Sequence, residues 1–205
     1  MIAVIIGIAL VGGMFVVPVA SDWETPKYEV VESQGDIEVR QYEPMIIAEV
    51  QTEGEREDAI GDGFRLLADY IFGNNTVERD IAMTAPVQQE SAEIAMTAPV
   101  QQQSAGGSWR VSFVMPSEYT LATLPKPKDG RVNIKEIPSK KFAVITFSGT
   151  HSDENIKEPE KRLMDYVEAG NIPVFGSPKY AFYNPPWTFP PMRRNEVMIE
   201  IESRE

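Results

Sequence analysis

Two stretches far apart in the chain read as one helix end written twice. Arg65-Leu66-Leu67-Ala68-Asp69-Tyr70-Ile71 matches Arg162-Leu163-Met164-Asp165-Tyr166-Val167, and each is soon followed by a Gly-Asn stop, Gly73-Asn74 and Gly170-Asn171. The first helix is expected from about residue 55 to 72. The second is expected from Ser152-Asp153 to Gly170-Asn171, with Pro159 in its early turns. A repeated helix end constrains the fold because the segments around it must then be related as well.

The flanking segments read as short strands. Residues 28–32 and 36–41 flank Ser33-Gln34-Gly35, a hairpin signal, and Ile37 and Val39 alternate with Glu38 and Arg40. Residues 45–50 form a further strand, and Trp109, Val111, Phe113 and Met115 give the next one a single apolar face. Residues 132–137 and 142–147 repeat the hairpin arrangement around Pro138-Ser139-Lys140, and residues 179–183 and 196–201 close the chain. Each helix thus follows a hairpin and strand and precedes two more strands. The expected class is α+β, two similar strand–helix–strand–strand halves closing into one antiparallel sheet or barrel. A shorter repeat, Ile81-Ala82-Met83-Thr84-Ala85-Pro86-Val87-Gln88-Gln89, recurs over residues 94–102. Two copies are too few for a solenoid, so it reads as a local duplication that lengthens a strand and loop.

A chain of 205 residues, 42% hydrophobic and 24% charged, can bury a core without staples. It has no cysteine, which excludes disulfides, thiolate metal sites, a cysteine nucleophile and a lipidated cysteine. A single histidine, His151, excludes any site that needs two. The net charge is −12, and residues 21–103 hold 18 of the 31 acids but only 5 of the 19 Lys and Arg. Such a surface repels nucleic-acid phosphates and anionic membranes, so neither is an expected partner. It reads as a solvated acidic face.

Residues 1–20 carry no charged side chain. As a helix at ~1.5 Å per residue they would be about 30 Å long, the thickness of a bilayer core. Val19-Ala20-Ser21 resembles a cleavage site, although no Lys or Arg precedes the apolar run. The chain therefore divides into a signal or anchor segment, 1–21, and a domain, 22–205. That domain is expected outside the cytoplasmic membrane, periplasmic or anchored on its outer side, touching the membrane only through residues 1–20 if they are retained.

No phosphate-binding loop, dinucleotide fingerprint, nucleophile elbow or HExxH motif is present. No catalytic residue and no metal ligand is assigned, and His151 is expected to precede or cap the second helix. On the first helix, Ile60, Leu67 and Ile71 form an ordinary core stripe. Beside it run Gly61, Phe64, Ala68 and Phe72, apolar and partly small. Gly61 and Gly63 each cost about 1 kcal/mol against alanine in a helix, so something flat approaches the backbone, either another chain segment or a planar ligand. The segment Asn184-Pro185-Pro186-Trp187-Thr188-Phe189-Pro190-Pro191-Met192-Arg193-Arg194-Asn195-Glu196 is a stiff aromatic loop ending in two arginines. It either covers the barrel end or presents Trp187, Phe189 and Met192 to a flat apolar ligand bearing carboxylates.

On these residues the sequence resembles the SOUL haem-binding protein family over residues 26–202. The matching motifs are Tyr28-Glu29-Val30, Ile37-Glu38-Val39-Arg40, the helix end 68–73, Met83-Thr84-Ala85-Pro86-Val87, residues 109–116, Asn184-Pro185-Pro186 and Arg193-Arg194-Asn195-Glu196-Val197. The resemblance implies a distorted antiparallel β-barrel of two similar halves with two outer helices. It also implies a haem or other porphyrin, a tetrapyrrole in any case, bound in a shallow apolar cleft. Carried across, that cleft consists of Gly61, Phe64, Arg65, Ala68, Asp69 and Phe72 with Trp187, Met192, Arg193 and Arg194. Basic residues on the helix face of some members correspond to Gly61 and Asp69, and the histidine proposed as axial ligand in some members has no counterpart here. The expected role is a non-enzymatic carrier, buffer or sensor. The alternatives are an enzyme or sensor for another small apolar molecule, as in gyrase-inhibitor-like domains, and a protein-interaction domain. The enzyme alternative would show a carboxylate with a raised pKa in a dry pocket, with Asp69 or Glu196 as candidates.

Overall fold

The computed structural model describes residues 23–91 and 107–201. The apolar segment 1–20 and the second Met-Thr-Ala-Pro-Val copy lie outside the described residues. In chain order the elements are β1 (Tyr28–Gln34), β2 (Ile37–Tyr42), β3 (Met45–Gly54), α1 (Arg56–Ile71), β4 (Val87–Ser91), β5 (Gly107–Val114), β6 (Asn133–Ile137), β7 (Lys140–Phe147), α2 (Asp153–Ala169), β8 (Val174–Phe182) and β9 (Asn195–Ile201). The strands form one nine-stranded antiparallel sheet in the order β1-β2-β7-β9-β8-β4-β5-β3-β6. Its edges β1 and β6 do not pair, so the barrel-like sheet stays open.

The order is two-fold about the β8–β4 boundary. Reading outward, β8, β9, β7 and β2 on one side match β4, β5, β3 and β6 on the other. In each set the strand before a helix is flanked by the second strand after it. The first hairpin forms as expected, reversing at Gly35-Asp36, where Gly35 takes φ +65°.

The second expected hairpin does not form. β6 pairs with β3, with Ile137 opposite Met45, and β7 pairs with β2, with Lys140 opposite Tyr42. The links Glu43-Pro44 and Pro138-Ser139 each contain a proline, which cannot donate to a ladder and holds the preceding residue extended. The chain turns a corner at each link and the next strand joins the other half. Ser139 ties the exchange together: its Oγ donates to the Tyr42 carbonyl at 2.7 Å and accepts from Gln41 Nε2 at 2.8 Å.

Both helices lie on one face of the sheet. α1 covers Ala48, Val50, Val111 and Phe113, and α2 covers Ala143, Ile145, Val197 and Ile199. Val87 packs with the first cluster and Phe182 with the second, and these two residues sit directly opposite each other, hence on the same side. The opposite face carries Tyr42, Phe142, Val144, Tyr183 and Met198. In the helices, Leu67, Asp69, Tyr70 and Ile71 match Leu163, Asp165, Tyr166 and Val167 position for position. Leu67 and Leu163 are both fully buried.

Candidate functional site

The α1 row singled out from the sequence faces α2. Glu57, Gly61, Phe64, Ala68 and Phe72 fall at helical spacing on one side of α1, beside the stripe Ala59, Gly63, Leu67, Tyr70 and Ile71 that enters the core. Glu57 Oε1 accepts the backbone N–H of Asp153, the first residue of α2, at 3.1 Å. Two turns along, Phe64 meets Phe113 edge-on at 5.4 Å. From Phe113 the sheet leads to Val87 and then Phe182, each directly opposite the next. Phe113 is 2% exposed beneath α1, and Val87 and Phe182, both partly buried, form the apolar floor between the helices. His151 closes it, its ring tilted against Phe182 at 5.8 Å. An aromatic-ended apolar floor therefore lies between the helices, with Phe64 at one end and His151 at the other.

The two glycines of α1 have different reasons. A Cβ on Gly63 would lie 2.5 Å from Val111 Cβ, so that glycine admits the close approach of β5. A Cβ on Gly61 would meet nothing within 4 Å. Gly61 opens space on the row. Phe64 and Ala68 are half-buried, whereas Phe72 is 61% exposed, and Arg65 and Asp69 stand at the surface. Arg65 pairs with Asp62, and Asp69 accepts from the Asn74 amide.

The loop between β8 and β9 is pinned and apolar. Trp187, Phe189 and Met192 are 85%, 66% and 74% exposed. Arg193 folds back into it, with Nε donating to the Thr188 carbonyl at 2.7 Å and the guanidinium also reaching the Pro186 carbonyl. The Pro190 carbonyl accepts the N–H of Gly149 at 2.9 Å, and Asn195 Nδ2 donates to the Gly149 carbonyl at 3.1 Å. The loop thereby sits on the turn that carries His151. Among the described residues none of its hydrogen bonds reaches α1.

Arg194 points the other way. It donates to Glu196 through Nε at 3.0 Å and Nη2 at 2.6 Å and lies over the Tyr183 ring at 4.1 Å. Glu196 is fully buried and also accepts from Arg40 Nη1 at 2.9 Å and Tyr183 Oη at 2.7 Å. Burial alone would push its carboxyl up, but Arg40 and Arg194 outweigh that and hold it below the usual carboxylate range. Burial, then the Glu196 charge, pushes the Tyr183 hydroxyl well up. Glu196 is thus an ionised structural anchor and not a proton-ready acid.

Two residues of the junction escaped the sequence reading. Arg56 looked like a surface charge between Glu55 and Glu57, yet it is 5% exposed. It bonds Asp153 and the His151 carbonyl, reaches Gln89 Oε1 at 3.3 Å and lies over Tyr180 at 5.5 Å. It ties the start of α1 to the start of α2. His151 does precede α2 as expected, but it also borders the floor. Burial, then the Arg56 charge, lowers its pKa, and Glu57 and Arg193 are near enough to act on it as well. Glu57 at the start of α1 and Arg193 of the loop thus both lie near His151.

A separate open groove of about 590 Å³ is lined by Glu24, Lys27, Glu43, Met45, Met115 and Glu136 among others, and by none of the expected cleft residues. Among the described residues no group of three or more His, Asp or Glu is arranged to hold a metal ion, and no helix is long and apolar enough to cross a membrane.

A family model described as SOUL heme-binding protein matches residues 23–200. No curated protein matches the chain. Among solved structures, the EcmrR C-terminal domain is similar with a TM-score of 0.60 at 10% identity, over 86% of this chain and 98% of that one. A hydrolase from Listeria innocua gives 0.55 at 10% identity, over 84% and 94%. At such identities these two likenesses show the shared fold alone.

Proposed function

The chain belongs to the SOUL haem-binding family, and from that premise we propose that it binds haem or another tetrapyrrole between α1 and the β8–β9 loop. The observation that carries this reading is the partly exposed floor of Val87 and Phe182 between the helices, walled by the row Gly61, Phe64 and Ala68. A macrocycle is flat and apolar on both faces. Open space at Gly61 lets it approach the helix backbone. Trp187 and Met192 supply the exposed apolar wall on the loop, which loses little entropy because prolines and Arg193 already hold it.

Propionates need cations, and the cations differ in availability. Arg65 has only an exposed pair with Asp62 to give up, and Arg193 adjoins the floor. Arg194 is committed to Glu196 and serves the loop from behind. The separate groove suits this ligand less well, because Glu24, Glu43 and Glu136 on its walls outnumber its one cation, Lys27, and repel carboxylates. With no proton-ready carboxylate at Glu196, the role we assign is a carrier, buffer or sensor without catalysis, placed outside the cytoplasmic membrane by residues 1–20.

Titration of the protein with haemin and with metal-free protoporphyrin tests the site. Ala68→Trp fills the row without touching Leu67 or Ile71. It should weaken both ligands at least about tenfold, ~1.4 kcal/mol, with the melting temperature unchanged. Unaltered affinity in that variant would move the ligand elsewhere. Export is tested by fusing residues 1–21 to a reporter active only outside the cytoplasm; a silent fusion refutes it.

A further inference from the structure

We propose that the groove where β3 begins and β5 and β6 end is a second ligand site, for a small organic cation with an apolar body. It stands independently of the tetrapyrrole reading above. Residues 24–27 form one wall of the groove, and hydrogen bonds hold that wall at three points. The Glu24 carbonyl accepts the N–H of Ala85 at 3.0 Å, and the Lys27 carbonyl accepts that of Glu43 at 3.0 Å. Between them the Glu24 carboxylate accepts the N–H of Ser117 at 3.1 and 3.2 Å. Beneath, the N–H of Met115 donates to the Ile46 carbonyl at 2.8 Å and joins the β5 and β3 sides of the floor. The space so enclosed is about 590 Å³, within the roughly 300–1,000 Å³ typical of small-molecule sites.

The lining decides the class of ligand. Met45 and Met115 are unbranched thioethers that adapt to irregular apolar bodies. The turn after β5 adds Leu121, 52% exposed, and the half-buried ring of Tyr119, whose face attracts a cation. Three carboxylates, Glu24, Glu43 and Glu136, stand against one cation, Lys27. Glu43 and Glu136 are exposed, and neither side chain has an ion pair or hydrogen bond among the described residues. Glu136 lies directly opposite Ile46, so its charge stands beside the apolar floor. An anion is repelled here, and a neutral apolar molecule gains nothing from the carboxylates. A metal ion finds no group of three or more acids arranged to hold it among the described residues. An apolar body carrying a positive charge uses both halves of the lining.

The test uses the full chain and two dyes that share a xanthene ring, the cation rhodamine 6G and the anion fluorescein, with binding followed by fluorescence anisotropy. The chain should bind rhodamine 6G and not fluorescein, and added salt should weaken the complex. Glu43→Gln combined with Glu136→Gln removes two charges from exposed positions. It should weaken rhodamine 6G at least about tenfold with the melting temperature unchanged. Leu121→Arg, which places a cation in the groove from an exposed position, should weaken it likewise. Ala68→Trp, in the cleft on α1, should leave rhodamine 6G binding as it is. Unaltered affinity in both groove variants overturns the site, and so does loss of binding in Ala68→Trp alone, which assigns the dye to the α1 cleft. Equal binding of fluorescein, or no binding of rhodamine 6G, overturns the proposal as well. None of these outcomes bears on the haemin titration, so the two sites stand or fall separately.

Discussion

Replacing Glu196 by glutamine preserves the side chain's shape and removes its charge. In the folded protein that charge faces Arg40, 3% exposed, and Arg194, 29% exposed, inside a site with no water access at the carboxylate. Glutamine leaves Arg40 with only the partly exposed Glu38 as counter-ion. Removing one partner of a buried ion pair costs about 3–5 kcal/mol, because the remaining charge stays desolvated. For a domain of this size, at roughly 2–4 °C per kcal/mol, the melting temperature should fall by roughly 6–20 °C. Asp62→Asn, which breaks an exposed helix pair with Arg65, should cost no more than about 1 kcal/mol. Thermal melts followed by circular dichroism compare the two. The pH dependence follows from the same group. Its folded pKa lies below the ordinary 4.5, so its stabilisation is complete above about that pH and is lost as pH falls through the folded value. The gap between wild type and Glu196→Gln should therefore be constant near neutrality and narrow only in acid below 4.5. A Glu196→Gln melt within 1 kcal/mol of Asp62→Asn, or a gap that closes between pH 7 and 5, would refute the buried-anchor reasoning.

The two α1 glycines should respond in opposite directions. Gly63→Ala should destabilise by about 1–3 kcal/mol through its clash with Val111, whereas Gly61→Ala should gain up to about 1 kcal/mol from helix propensity; denaturant melts of both variants check the pair. Residues 26–116 expressed alone should not melt cooperatively, because β2 lacks β7 and β3 lacks β6. A soluble half with a sharp transition would count against the exchanged sheet.

Much of the candidate site was legible before the structure, and the reason is local. Gly61, Phe64, Ala68 and Phe72 announce a face by helical spacing alone, and the prolines of 184–194 announce a stiff exposed loop. In the structure the four residues share one side of α1, and Trp187, Phe189 and Met192 stand exposed on the loop. What the side chains do there was not legible. Arg193 and Arg194 read alike, yet one closes the loop on itself and the other reaches through to Glu196 on the opposite face. Arg56, written between two glutamates, carries no mark of burial, because its burial comes from Asp153, Gln89 and Tyr180, which are distant in sequence.

The sequence by itself determined the elements and their kinship: two helices stopped by Gly-Asn, strands with one apolar face, and two halves of common descent. It could not determine which strands pair. Because the halves are alike, β3 offers β2 and β6 similar patterns, and so does β7, and no local signal separates pairing within a half from pairing across halves. Proline corners at Pro44 and Pro138 decide the matter by steering each chain segment onto the other half. The same exchange locks the halves into one sheet whose centre is β4 against β8. It thereby brings Phe113 and Phe64 from one half to Phe182 and His151 from the other. A histidine that reads as a polar turn residue becomes the end wall of an apolar floor, because the floor exists only once both halves share a sheet.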